Sequence, residues 1–281
     1  MKRVFPKSSC LFTLGIVLFC FTLLVSGCAD LQEISALSAT ATATLQNTTY
    51  ITDYASSFER QKELGNDKIS EQMITNAKDH TTKMLAFYKG AALYTNILGK
   101  LSTDDIISYQ TELKNLQTQV NTLGRDEKIS DKQIDAVRLI AKIMTDNYRQ
   151  KELKTMIENS DQPFGELIDT LIGFNDTYIV VLENELGTLK DRYELADNGD
   201  DSSIVKKMNI LLTDNYLAKK NEVETKIKSV QAYNHSLEVI KNAHQELYKN
   251  RNDFSVEKLR YTLNRYNTEL AQVYSELMAK K

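Results

Sequence analysis

The chain is short of almost every residue that punctuates a fold. It has two prolines, Pro6 and Pro163, ten glycines and no tryptophan. An all-β or α/β chain of this length needs far more turn chemistry than that, whereas long helices need little. Histidine is as scarce. Only His80, His235 and His244 are present, and no Glu-x-x-His pair of the kind that builds a di-iron bundle occurs. There is no Gly-x-Ser-x-Gly elbow and no glycine-rich phosphate loop. Carboxylates are plentiful, but none forms an isolated pair of glycosidase character. These gaps argue against an enzyme, and they point to no metal and no cofactor.

Cysteine usage leads to the amino terminus. Cys10, Cys20 and Cys28 all lie in the first tenth of the chain. A basic head of Lys2, Arg3 and Lys7 precedes an apolar run from Cys10 to Val25, 16 residues long. That run is shorter than the ~20 residues a helix needs to cross a bilayer. Its layout is that of an export signal. The run closes on Val25-Ser26-Gly27-Cys28, which resembles the lipobox of bacterial lipoproteins. The resemblance covers only this segment. It implies cleavage between Gly27 and Cys28, a diacylglycerol on the Cys28 sulfur and acylation of the new amino group. Several acyl chains, at ~0.8 kcal/mol per buried CH₂, hold a protein to a membrane durably. Ala29, rather than an aspartate, follows the cysteine. In the lipoproteins it resembles, that favours the outer membrane where a cell has two.

Cleavage there leaves 254 residues carrying 32 Lys and Arg against 38 Asp and Glu. The mild negative balance excludes a broad nucleic-acid surface. Apolar residues recur at helical spacing through most of this length. Val256, Leu259, Leu263, Tyr266, Leu270, Val273 and Leu277 form one seam; Val223, Ile227, Val230, Tyr233, Leu237, Ile240, His244 and Leu247 form another. The seams predict an all-α fold: an elongated antiparallel bundle with long coiled-coil-like helices, occupying residues 50–281 behind a lipidated segment, 28–49.

Seven helices are expected, near 31–64, 68–98, 103–123, 131–159, 163–196, 203–249 and 256–279. Ser70, Ser102, Ser130 and Ser255 each follow an apolar residue and precede another four places on, the pattern of a cap with a hydrophobic staple. Gly65, Gly99 and Gly124 suit helix ends. Pro163 suits a first turn. The stretch "SALSATATATLQNTT", 35–49, reads as a helix with a loose beginning or as a tether.

Three features are candidate sites. His244 lies on an apolar seam and reads as a hydrogen-bonded packing residue. Asp197, Asp200 and Asp201 form a turn without the glycine position or distal glutamate of a calcium loop. The fourteen tyrosines carry the binding signal, because a tyrosine ring is apolar and its hydroxyl polar. Tyr148, Tyr216, Tyr261, Tyr266 and Tyr274 are the candidate binding surface. The reading is therefore a lipid-anchored helical binding or scaffold module of the bacterial envelope, with a protein partner and room for self-association. The alternatives are a protective lipoprotein that neutralises an envelope-targeting toxin or hydrolase, and a small-molecule sensor or carrier.

Overall fold

In the computed structural model the described residues are 29–103, 110–121, 131–150, 153–196 and 203–279. Among them the fold is all α. Eight helices follow in order: α1 Ala29–Gln46, α2 Thr49–Glu63, α3 Glu71–Ser102, α4 Gln110–Asn121, α5 Asp131–Gln150, α6 Leu153–Ala196, α7 Ser203–Lys249 and α8 Glu257–Ala279. Among the described residues no helix is long and apolar enough to cross a membrane. Gly27, Cys28, Gly124, Ser130 and the aspartates at 197, 200 and 201 lie outside the described residues.

α6 and α7 form the spine. They have 44 and 47 residues, or ~66 and ~70 Å at 1.5 Å per residue. They run antiparallel, joined by Tyr193–Thr213 at 3.0 Å, Asn175–Asn234 at 2.7 Å and Asp169–Lys241 at 2.6 Å. α1 and α2 lie end to end along α3. Thr42 meets Thr95 at 2.8 Å in the first half, and Glu59 meets Lys78 at 2.6 Å in the second. α8 packs against α7 and α1. It runs parallel to α1, with Glu33–Arg260 at 3.4 Å, Thr40–Asn267 at 2.6 Å and Asn47–Met278 at 3.9 Å. Thus α8 stops level with the break between α1 and α2.

The core divides along this length. A large cluster joins α1, α3, α5, the first half of α6, the second half of α7 and α8. A smaller one joins α2, the start of α3, the second half of α6 and the first half of α7, around Tyr54, Phe58, Tyr178 and Leu182.

Two helix ends behave as the sequence predicts. Gly65 takes φ of 86°, and its amide bonds Lys62 O at 2.9 Å while that of Asn66 bonds Gln61 O at 3.1 Å. These are the paired bonds of a glycine-terminated helix. Ser70 accepts from the Met73 amide at 3.2 Å, and Ile69 and Ile74 are buried together beside it.

Other expected ends move. The expected helix 31–64 breaks at Asn47 and Thr48, in a run of residues that favour local side-chain bonds over the helix. Pro163 lies inside α6, not at a start. A proline in a helix interior costs about 3 kcal/mol; Met156, Ile157, Phe164 and Leu167 are buried on both sides and outweigh it. Ser102 ends α3, donating to Gly99 O at 2.6 Å. Ser255 donates to Asp253 from both amide and hydroxyl and caps nothing.

Gly99 is likewise no terminator. It sits within α3 where α1 crosses closely, and an added Cβ would fall 2.9 Å from Ser38 Cβ. The small residues of "SALSATATATL" make that approach possible, with Ser38, Ala41, Thr42 and Thr44 all buried. Gly99→Ala is therefore expected to lose about 1–3 kcal/mol through overpacking. Gly173→Ala, with nothing within 4 Å of the new carbon, is expected to gain about 0.5–1 kcal/mol, as for any helix-interior glycine. Urea unfolding of the two variants checks the contrast.

Candidate functional site

The second half of the spine carries a recess. Its floor is α6, its walls are α2 and the first half of α7, and α8 ends at its mouth. Three cavities run along it. The first, of about 510 Å³, lies beside Asn47, Tyr50, Asp53, Tyr178, Lys226 and Leu277. The second, of about 350 Å³, lies between Arg60, Glu185, Lys219 and Glu222. The third, of about 440 Å³, lies among Leu64, Leu189, Tyr193, Leu212 and Tyr216. Glu222 borders the first two; Leu64, Leu189 and Lys219 border the second and third. Leucine and tyrosine side chains join Arg192, Asn215 and Lys219 at its far end, and hydroxyl, amide and charged side chains are more numerous near α8.

An ion network holds the wall α2 to the floor. Arg60 grips Asp53 through two parallel bonds of 2.7 and 2.8 Å and Glu185 through bonds of 2.6 and 2.9 Å. Ser57 donates to Glu185 at 2.6 Å and Tyr178 donates to Asp53 at 2.6 Å. Lys226 on α7 reaches Asp53 at 3.2 Å and Glu222 at 2.8 Å. Glu185 is only 2% exposed, so Arg60 and Ser57 take the place of water around its carboxylate. Burial pushes the Asp53 carboxyl up, but the bonds from Arg60 and Tyr178 and the charges of Arg60 and Lys226 hold it below its ordinary value. Burial, and then the Asp53 charge, push the Tyr178 hydroxyl well above its ordinary range.

A second polar group is sealed in the large core. Tyr94 Oη lies 2.5 Å from Ser160 Oγ and 2.6 Å from His244 Nε2, and Asp161 lies 3.4 Å from Nδ1. Serine, histidine and aspartate in this order suggest nucleophilic catalysis. Ser160 is 0% exposed and His244 4%, however, with Phe164 packed on the imidazole at 4.9 Å between ring centres. A nucleophile that no substrate reaches performs no chemistry, and the group is a packing device. Asn175 is similarly committed, accepting from Tyr88 at 2.9 Å and donating to Asn234.

The candidate tyrosines are dispersed. Tyr216 lines the far cavity of the recess and stacks on Tyr193, with ring centres 4.6 Å apart. Tyr261 is exposed on α8, Tyr274 is half-buried there, and Tyr266 packs against the core with Arg265 over its ring. Tyr148 lies on α5, and its side chain is outside the described set. Tyr54, Tyr88, Tyr94, Tyr178 and Tyr233 are fully buried. The Asp53–Arg60–Glu185 network was not among the sequence candidates. Its signal was there: Leu171, Asn175, Tyr178, Leu182, Glu185 and Leu189 form one 4-3-4-3-4 stripe of α6, and a glutamate on such a stripe needs a partner.

Two measurements test these networks. Arg60→Met leaves the buried Glu185 without a cation and Asp53 with Lys226 alone, and is expected to destabilise the fold by about 3–5 kcal/mol at neutral pH. The difference from wild type should narrow in acid, because the stability that the depressed Asp53 carboxyl contributes is present above its unfolded pKa and is lost as pH falls through the lower folded one. For His244, burial lowers the pKa and Asp161 opposes this only in part. The unfolded chain then takes up a proton before the folded one. Stability should fall as pH drops below about 6.5, and His244→Gln should flatten that slope in urea titrations from pH 7.5 to 5.

Comparison with known proteins found no match to the chain among family models, curated proteins or solved structures.

Proposed function

We propose that this chain is a lipid-anchored binding module of the bacterial envelope. Cys28 fastens it to a membrane, and the recess between α2 and α7 is the surface it presents. The supporting observation is one of position. Ala29, the residue directly after Cys28 and the first one described, is already helical, so no long tether separates the lipid from the bundle. α1 and α2 then extend away end to end. Their 18 and 15 residues put the recess beyond the first ~27 Å of helix and carry it on for ~22 Å more.

In this reading the function is mechanical. The acyl chains set where the protein sits, and the rigid helices set how far from the lipid a partner is held. The large core, packed around Tyr94, His244 and Phe164, serves as the stem; the smaller core carries the binding surface.

Cys28→Ser tests the anchor. Expressed with its signal in a bacterium that makes lipoproteins, wild type is expected in the membrane fraction and to resist extraction by salt and carbonate. The Cys28→Ser protein should be released by either treatment, with unchanged helical circular dichroism. Equal retention of the two proteins would remove the anchor from the proposal.

A further inference from the structure

We infer that the bundle stands on the membrane through one end: the α7–α8 turn, with the first turns of α6 and α8, lies among the phospholipid headgroups. This deepens the reading of Cys28 as the anchor and rests on it.

The register of α8 against α1 carries the argument. Glu33 meets Arg260 and Thr40 meets Asn267, and both pairs are 227 residues apart. The two helices run parallel, so the same offset sets Val256 level with Ala29. Ala29 directly follows Cys28 and is already helical. A lipid on Cys28 therefore brings the α7–α8 turn, residues 250–256, to the surface of the bilayer. The polar layer on each face of a bilayer is ~5–7.5 Å deep. The rise from Val256 to Tyr261 is ~7.5 Å at 1.5 Å per residue, so the first turn of α8 spans that layer. α6 reaches the same end. It begins at Leu153, and Glu158 on its second turn meets Arg251 of the α7–α8 turn at 3.3 Å.

What this end exposes suits a headgroup layer. Tyr261 is 74% exposed, more than any other large hydrophobic side chain among the described residues, and Val256 is 37% exposed. A tyrosine settles at such a boundary because its ring is apolar and its hydroxyl wet. Lys154 on the first turn of α6 and Lys258 on the first turn of α8 are exposed. Their stems lie along apolar surface while the ammonium groups meet phosphate. Arg251 and Arg260 tie the end together, through Glu158 on α6 and Glu33 on α1. The acids nearby are accommodated by the protein itself. Asp253 accepts from the Ser255 amide at 2.9 Å and hydroxyl at 2.5 Å, and Glu257 sits in the first turn of α8, where the helix dipole favours it.

Position selects the bilayer over a protein partner. The anchor holds lipid at this level in every copy of the protein, whereas a partner would have to displace headgroups to reach the same surface. Among the described residues no helix is long and apolar enough to cross a membrane, and this end is mostly polar, so the contact is with headgroups rather than hydrocarbon. The foot also has a use. A lipid on one residue is a swivel; a second contact across the end of the bundle fixes its tilt and points the recess away from the bilayer.

The test uses the full chain, expressed with its signal in a bacterium that makes lipoproteins and grown on radioactive phosphate. Benzoylphenylalanine replaces Ser255, Tyr261, Thr268 and Asp67 one at a time, all at exposed positions. Thr268 lies ~18 Å along α8 from Val256, and Asp67 lies between α2 and α3 at the opposite end of the bundle. The diacylglycerol on Cys28 carries no phosphate, so label on the irradiated protein reports crosslinked phospholipid. The expected result is label at Ser255 and Tyr261 and background alone at Thr268 and Asp67. Label missing from Ser255 or Tyr261 would overturn the proposal. So would label at Thr268 or Asp67, which means a chain lying flat, or adducts of Ser255 or Tyr261 to protein in place of lipid. Carbonate extraction of the same membranes reads the anchor separately. If the protein washes out, the anchor fails and the foot with it; if it stays without label at Ser255 and Tyr261, the foot alone fails.

Discussion

The governing constraint is a mismatch of lengths. α6 and α7 have 44 and 47 residues, and none of α1, α2 and α8 has more than 23. A spine that long buries its apolar stripes only if shorter helices are laid along it one after another. Against α6, α3 and α5 cover the first half and α2 the second. On the other side α8 does it for one half only. The two cores, the break at Asn47–Thr48 and the recess all follow from that arithmetic of covering.

Where cover is complete, the interior is apolar with a few fully bonded polar groups. Tyr94, Ser160 and His244 share one such group; Tyr88, Asn175 and Asn234 share another. Where cover is partial, the fold uses charge. A carboxylate as buried as Glu185 is unfavourable alone, and Arg60 gripping it and Asp53 together offsets that. The network clamps α2 across the floor of the recess and adds to its packing on α3 in holding the wall. A rigid, preorganised wall loses little entropy when a partner arrives, which suits the binding role proposed here.

The fold class was legible in the residues. Apolar spacing of three and four, the near absence of proline and the lack of tight-turn residues all express helical geometry directly, and the eight described helices lie mostly on the segments read as helical, although α3 runs on to Ser102 and α6 runs through the gap expected at 160–162. Gly65 and Ser70 were legible for the same reason, since a left-handed turn and an N-cap are decided by a few neighbouring atoms. Tyr216 was picked out on its chemistry and lines the recess. Arg60 and Asp53 were not, because seven residues apart on a polar helix they look like any solvated pair until Glu185, more than a hundred residues away, is brought between them.

Pro163, Gly99, Ser102 and Ser255 mark where local chemistry stopped being enough. Each carries a signal for a helix boundary, and each was overruled by a contact distant in sequence or by a competing bond. The proline is carried through by buried neighbours on both sides, and the glycine serves the close crossing of α1 and α3. By itself the sequence determined that the chain is helical, roughly how long each helix runs and which stripe each must bury, because these depend on spacing along one helix. Which stripe meets which, where α8 falls short and hence where a recess opens depend on how unequal lengths tile a common spine. Only the tertiary structure could decide that.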